Sequence, residues 1–272
     1  MTQSSWPSFF SYPVIATVAL CCVALLGLLL GWLPLSVVGL LVLFIAALAA
    51  FHFARNRAAW VKVLLWLPLL PLGLAIALMR PEGFSYPLVF SMNELYPGGK
   101  SFDLHINMAK ALAGYAVVIW LLGSVPKQML VTGWQVFVWP ILLAGVVLGV
   151  AIPLLGLEWQ PKWGLHAIWF LLVNLLVTCV AEESFMRLLV QGPLQRALQR
   201  FGAAPAAFIA LTVTAVLFAA AHSPQGAHAW AIYLVAGCAY GAAYTLTGRL
   251  SVAIAIHFLV NAVHYLLLSY PL

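Results

Sequence analysis

Charge is what this sequence has least of. Asp and Glu together number 6 in 272 residues, charged side chains reach 7% and hydrophobic ones 65%, with a mean hydropathy of +1.08. A soluble domain carries about 25% charged residues, so the polar surface that water requires is missing and the chain reads as an integral membrane protein. Cysteine is scarce too: Cys21, Cys22, Cys179 and Cys238 all lie in apolar stretches without a CxxC pair. That spacing excludes a zinc knuckle and a disulfide framework. No Lys or Arg precedes the first apolar run, so "MTQSSWPSFFSYPVIA" lacks the basic region of a cleaved secretory signal and the first helix is expected to stay. The net charge of +6 comes without a basic cluster, which argues against nucleic acid as a partner and suits the basic ends of membrane helices.

What is present is a series of long apolar runs. A bilayer core of roughly 30 Å takes about 20 apolar residues per helix, and the chain divides into nine such segments, near 13–31, 34–54, 58–79, 108–123, 129–155, 164–190, 204–222, 229–247 and 251–270. The expected fold is all-α, a polytopic transmembrane bundle of eight to nine spans. The connection Arg80 to Asn107 holds Glu82, Glu94 and Asp103 and reads as a solvated loop. Arg55, Arg57, Lys62, Lys127, Arg196, Arg200 and Arg249 collect on one side, and Arg80, Lys100, Lys110 and Lys162 on the other. The positive-inside bias makes the first side cytoplasmic, with the N-terminus inside and the cell (inner) membrane as the site.

Against this background "TCVAEESFMRLLV", Thr178 to Val190, places Glu182, Glu183 and Arg187 in the middle of an apolar run. An ionisable residue at bilayer depth costs at least a few kcal/mol; it faces the protein interior, is paired and marks a functional site. Glu183 and Arg187 are four apart, neighbours on one helical face, and form an ion pair by themselves. Glu182, about 100° further round the helix, has no partner within its own segment. The polar residues of other segments supply candidates: His222 ends "FAAAH", and His257 and Asn261 lie four apart in "HFLVN", with His264 one turn on. Taking Gly202 as a bend, Glu182 lies 20 residues before it and His222 20 residues after it; at about 1.5 Å per residue, antiparallel helices hold both at one depth. Glu182, His222, His257 and Asn261 are therefore expected in one cavity.

A carboxylate beside an imidazole can hold a water and take its proton, while a second imidazole and an amide can donate to the oxyanion formed when water attacks a carbonyl. That set suits amide hydrolysis. The same Glu182, His222 and His257 also read as a zinc ligand set with an open position, and spacing does not choose between the two.

Three motifs together resemble a known family. "EESFMR" fits EExxxR, "FAAAH" fits FxxxH and "HFLVN" fits HxxxN, in the order and separation found in the CPBP family of CAAX proteases and bacteriocin-processing enzymes, also called Abi. The resemblance covers about 165–268. It implies that Glu182 activates water with His222 as its partner, that His257 and Asn261 form the oxyanion site, and that Glu183, Arg187 and Phe218 support them. It also implies a membrane-embedded or lipidated protein or peptide as substrate, and a division into 1–155, helices of unassigned role, and 156–272, the protease core in the last four helices. Other intramembrane proteases are disfavoured: no His is followed by Glu, as a metalloprotease HExxH requires; Asp103 is the only Asp, where presenilin-type enzymes need two; and no Ser stands in a rhomboid-type GxSG. A proton-coupled transporter and a non-catalytic immunity or scaffold protein remain as alternatives.

Overall fold

The computed structural model describes residues 12–124 and 133–271; Lys127 and the first residues of the fifth expected segment lie outside them. A backbone removed from water must satisfy its own hydrogen bonds, and the apolar runs accordingly fold as helices. These are α1 (Tyr12–Leu29), α2 (Leu35–Phe53), α3 (Ala59–Trp66), α4 (Leu69–Leu78), α5 (Met108–Leu121), α6 (Gln135–Leu155), α7 (Leu165–Val173), α8 (Val180–Glu183), α9 (Gly192–Leu198), α10 (Ala203–Ala221), α11 (Gly226–Thr247) and α12 (Leu250–Leu267). α3 and α4 together make one apolar stretch long enough to cross a membrane. So does the continuous helical run 165–201 that contains α7, α8 and α9, and eight such stretches are found among the described residues. The remaining expected segment is α5, which has 14 residues. That is short of the roughly 20 needed to span; α5 is instead an interior helix, with nine of its residues buried.

The connection 80–107 carries more structure than a solvated loop. Strands β1 (Leu88–Met92) and β2 (Phe102–His105) pair antiparallel, and Ser91 Oγ donates to Asp103 Oδ1 at 2.5 Å. Phe90 and Phe102 turn towards an aromatic cluster in which Phe170 and Tyr265 stack at 3.7 Å. Lys162, only 3% exposed, donates to the carbonyls of Gln160 and Leu268 and lies 5.0 Å from the Tyr96 ring. Burial pushes its ammonium down to about 8. Lys162 thereby ties the chain just before α7 to the C-terminal segment and the hairpin.

The N-terminal helices share a core with the C-terminal ones. Phe44 of α2, Ile76 of α4 and Val117 of α5 pack in one buried cluster with Leu188, Leu189, Tyr244 and Ala253. At the centre of this contact Gly114 of α5 lies against Ala181, and a Cβ on residue 114 would run into the Ala181 backbone. Small residues allow such close approach of membrane helices, and here it sets the distance between α5 and the helix turn that carries Glu182. Gly114→Val is expected to destabilise the protein by roughly 1–3 kcal/mol through overpacking, read as a lower unfolding temperature in detergent. An unchanged midpoint would contradict the contact.

Candidate active site

The glutamates occupy an irregular helix. α8 is a single α-helical turn between two π-helical stretches, Asn174–Cys179 and Ser184–Gln191. Segments of this kind shift the direction of successive side chains and are frequent at functional sites. Glu183 and Arg187 are fully buried, and Arg187 Nε donates to Glu183 Oε2 at 2.8 Å. The ion pair expected from their spacing is present and extends in both directions. Arg187 Nη1 donates to Gln191 Oε1 at 2.8 Å; Gln191 Nε2 donates to the Gly241 carbonyl and to Thr245 Oγ1. At the other end His257 Nδ1 lies 2.8 Å from Glu183 Oε1. An ionised carboxylate only accepts, so Nδ1 carries the proton of that bond. Gly241 provides the room: a Cβ there would sit 2.8 Å from Arg187 Nη1.

Glu182 faces elsewhere. Its Oε1 accepts from Lys110 Nζ of α5 at 2.5 Å. Its Oε2 lies 3.6 Å from His222 Nε2 and 3.9 Å from His257 Nε2 and accepts no hydrogen bond among the described residues. His222 Nδ1 is bound to the Phe218 carbonyl at 2.7 Å. With Nδ1 of each ring donating to oxygen, the neutral rings turn the lone pairs of both Nε2 atoms towards the free oxygen of Glu182. Three acceptors thus converge, an arrangement that calls for a donor between them, and water supplies two hydrogens. Both rings are held from α11: Tyr233 stacks on His222 at 4.4 Å and Tyr240 on His257 at 4.8 Å. The Phe218 ring lies 4.5 Å from His222 and 5.7 Å from His257.

Beside this point is a cavity of about 300 Å³. Glu182, His222 and Phe218 line one wall; Leu74 and Leu78 of α4, with Lys110 of α5, line another. Asn261 lies one turn beyond His257 on α12 and donates from Nδ2 to Asn174 Oδ1 at 3.0 Å, which leaves its second amide hydrogen. Of the expected site residues the structure brings Glu182, Glu183, Arg187, Phe218, His222 and His257 into one contact network, whereas the hydrogen bond of Asn261 goes to Asn174. His264 is not part of the network; its Nε2 faces the Ser269 carbonyl at 3.1 Å, fastening the C-terminal segment.

Lys110 is the main correction to the sequence reading, which grouped it with charges flanking the spans. Its signal was present: it is the only charged residue of an otherwise apolar 14-residue helix. Gln191, the residue immediately after "EESFMRLLV", and Asn174 carried no motif and were missed.

A zinc ion at this point would require the three side chains to draw together. Zinc ligands at about 2.0–2.2 Å from the metal stand about 3.3–3.5 Å apart, and the two separations from Glu182 Oε2 are both wider. Among the described residues no group of three His, Cys, Asp or Glu side chains is arranged to hold a metal. Lys110 also already supplies positive charge to the carboxylate that zinc would need.

Residues 163–263 match the family model described as type II CAAX prenyl endopeptidase Rce1-like. The region is similar to that family, which agrees with the CPBP resemblance of the three motifs. The match supports intramembrane protease activity. It covers less than half of the chain, contains every motif residue and leaves α4 and α5 outside. No curated protein and no solved structure matches the chain.

Removing one partner of a buried ion pair leaves an uncompensated charge and costs about 3–5 kcal/mol. Arg187→Met is therefore expected to lower the unfolding temperature and the amount of protein recovered from membranes more than any change at Glu182 does. Equal recovery of Arg187→Met and the parent protein would contradict the pairing.

Proposed function

We propose that this protein is a metal-independent intramembrane endopeptidase that hydrolyses a peptide bond of a membrane-embedded or lipidated substrate. The observation that carries the reading is the convergence of Glu182 Oε2, His222 Nε2 and His257 Nε2 at the edge of the cavity. A water held there gives one proton to Glu182 as its oxygen attacks the scissile carbonyl. His222, fixed at Nδ1 by the Phe218 carbonyl, accepts the second hydrogen at Nε2 and orients the nucleophile. In the substrate complex the resting, neutral His257 takes up a proton at Nε2, changes from acceptor to donor and meets the developing oxyanion, with the second amide hydrogen of Asn261 beside it. Collapse of the tetrahedral intermediate breaks the C–N bond, and the proton on Glu182 passes to the leaving amine. Glu183 and Arg187 fix His257 from behind.

The matching family is described as a CAAX prenyl endopeptidase, which supports a lipidated substrate. An apolar wall formed by Leu74 and Leu78, which are themselves open at 46% and 62% exposure, suits an apolar chain arriving from within the membrane. The protein is an integral multi-pass membrane protein; with eight spans instead of nine, Arg196, Arg200 and Arg249 fall on the side opposite Arg55, Arg57 and Lys62, so the charge bias no longer carries the expected cytoplasmic N-terminus.

The test is cleavage of a membrane-tethered peptide library by purified protein after chelation, with metal content measured. Cleavage is expected to persist without metal and to vanish in Glu182→Ala and His222→Ala. Activity lost with the metal and restored by zinc would overturn metal independence. Asn261→Ala is expected to lose about 10²- to 10³-fold in turnover with little change in substrate binding; an unchanged rate would remove Asn261 from the oxyanion site.

A further inference from the structure

Glu182 needs a cation, and the Rce1-like region does not supply one. Within 163–263 Arg187 is engaged by Glu183 and Gln191, and the histidines face Glu182 with acceptor nitrogens. The cation comes from α5, outside that region. We propose that Lys110 is a positioning residue for the hydrolysis: its ammonium holds Glu182 by Oε1 and leaves Oε2 turned to the two imidazoles. The inference rests on the water-activating role of Glu182 proposed above.

Independent features fix Lys110 at that place. Asn107 caps α5, accepting at Oδ1 from the Lys110 backbone N–H at 3.0 Å and donating from Nδ2 to the Ala77 carbonyl at 3.0 Å, so the first turn of α5 is bound to the end of α4. One turn on, Gly114 rests on Ala181, the residue before Glu182. The Lys110 side chain is only partly exposed, at 24%, and borders the same cavity as Glu182 and His222. The four acids other than Glu182 and Glu183, namely Glu82, Glu94, Asp103 and Glu158, lie in connections between helices, and Glu182 is the carboxylate Lys110 meets. Held at one oxygen, a carboxylate on a two-carbon stem loses the rotation that would otherwise let Oε2 swing out of line with the water. Displacement of a catalytic group by about 1 Å can cost 10²-fold in rate.

The experiment compares kcat and KM of Lys110→Met, Lys110→Gln and Lys110→Arg with the parent protein and Glu182→Ala, on a peptide from the library that the parent cleaves. Only variants that elute as folded protein in detergent are compared. Lys110→Met is expected to lose about 10²-fold in kcat with KM changed less than about threefold, and Lys110→Arg to recover most of that loss. Lys110→Gln keeps a donor without the charge; it is expected to behave like the Met variant and takes its place if that variant does not accumulate. Turnover at the parent level in the Met or Gln variant, a loss confined to KM, or an Arg variant no better than Gln would overturn the proposal. Cleavage by Glu182→Ala would sink the water-activating reading itself. A dead Glu182→Ala beside a fully active Lys110→Met would sink the role of Lys110 alone.

Discussion

Two neighbouring carboxylates inside a membrane-spanning helix cannot share one counter-ion and both stay ionised at low dielectric. Glu182 and Glu183 point in different directions from adjacent positions of a short α-helical turn, and each meets its own cation. Glu183 is neutralised within its own helix by Arg187 and continues into His257 on α12. Glu182 is neutralised from another part of the chain by Lys110. Each carboxylate then has a separate task available to it. Glu183 is closed off, with both oxygens engaged and no exposure, as befits a structural anchor. Glu182 keeps one oxygen without a hydrogen bond among the described residues, beside a cavity, as a base requires.

Much of the surrounding packing follows from that division. The Arg187 guanidinium is a large planar group for a membrane interior, and it is accommodated because Gly241 presents no side chain to it and because Gln191 accepts from one of its nitrogens. Gly237 similarly admits α11 to the Ala215 backbone of α10, which places Tyr233 and Tyr240 flat against the two histidine rings. Lys110 reaches Glu182 because Gly114 lets α5 touch Ala181. A helix too short to cross the bilayer is useful in this position: its first turn begins at the depth of the site, so that a lysine there meets a carboxylate far from either end of the run 165–201.

The sequence was most informative where one residue type was most out of place. Composition alone indicated a membrane bundle, and the depth count from Gly202 correctly placed Glu182 and His222 together, because both legs are nearly unbroken helix. The i, i+4 spacing sufficed for Glu183 and Arg187. It could not give the partner of Glu182, which depends on a contact between segments about seventy residues apart and on a glycine whose role is visible only when Ala181 is seen against it. The hairpin 88–105 was hidden for another reason: two strands of five and four residues with an irregular register leave too few alternations to read. Asn174 and Gln191 belong to no motif and gain meaning only from what they face.

The central claim is that Glu182, His222 and His257 surround a water rather than a metal. A high-resolution diffraction structure with data collected on both sides of the zinc absorption edge tests it directly. The account predicts a water-sized peak within hydrogen-bonding distance of Glu182 Oε2 and the two Nε2 atoms, with no anomalous signal and with Lys110 still on Glu182 Oε1. An anomalous peak at about 2 Å from those three atoms, with Lys110 displaced, would contradict it.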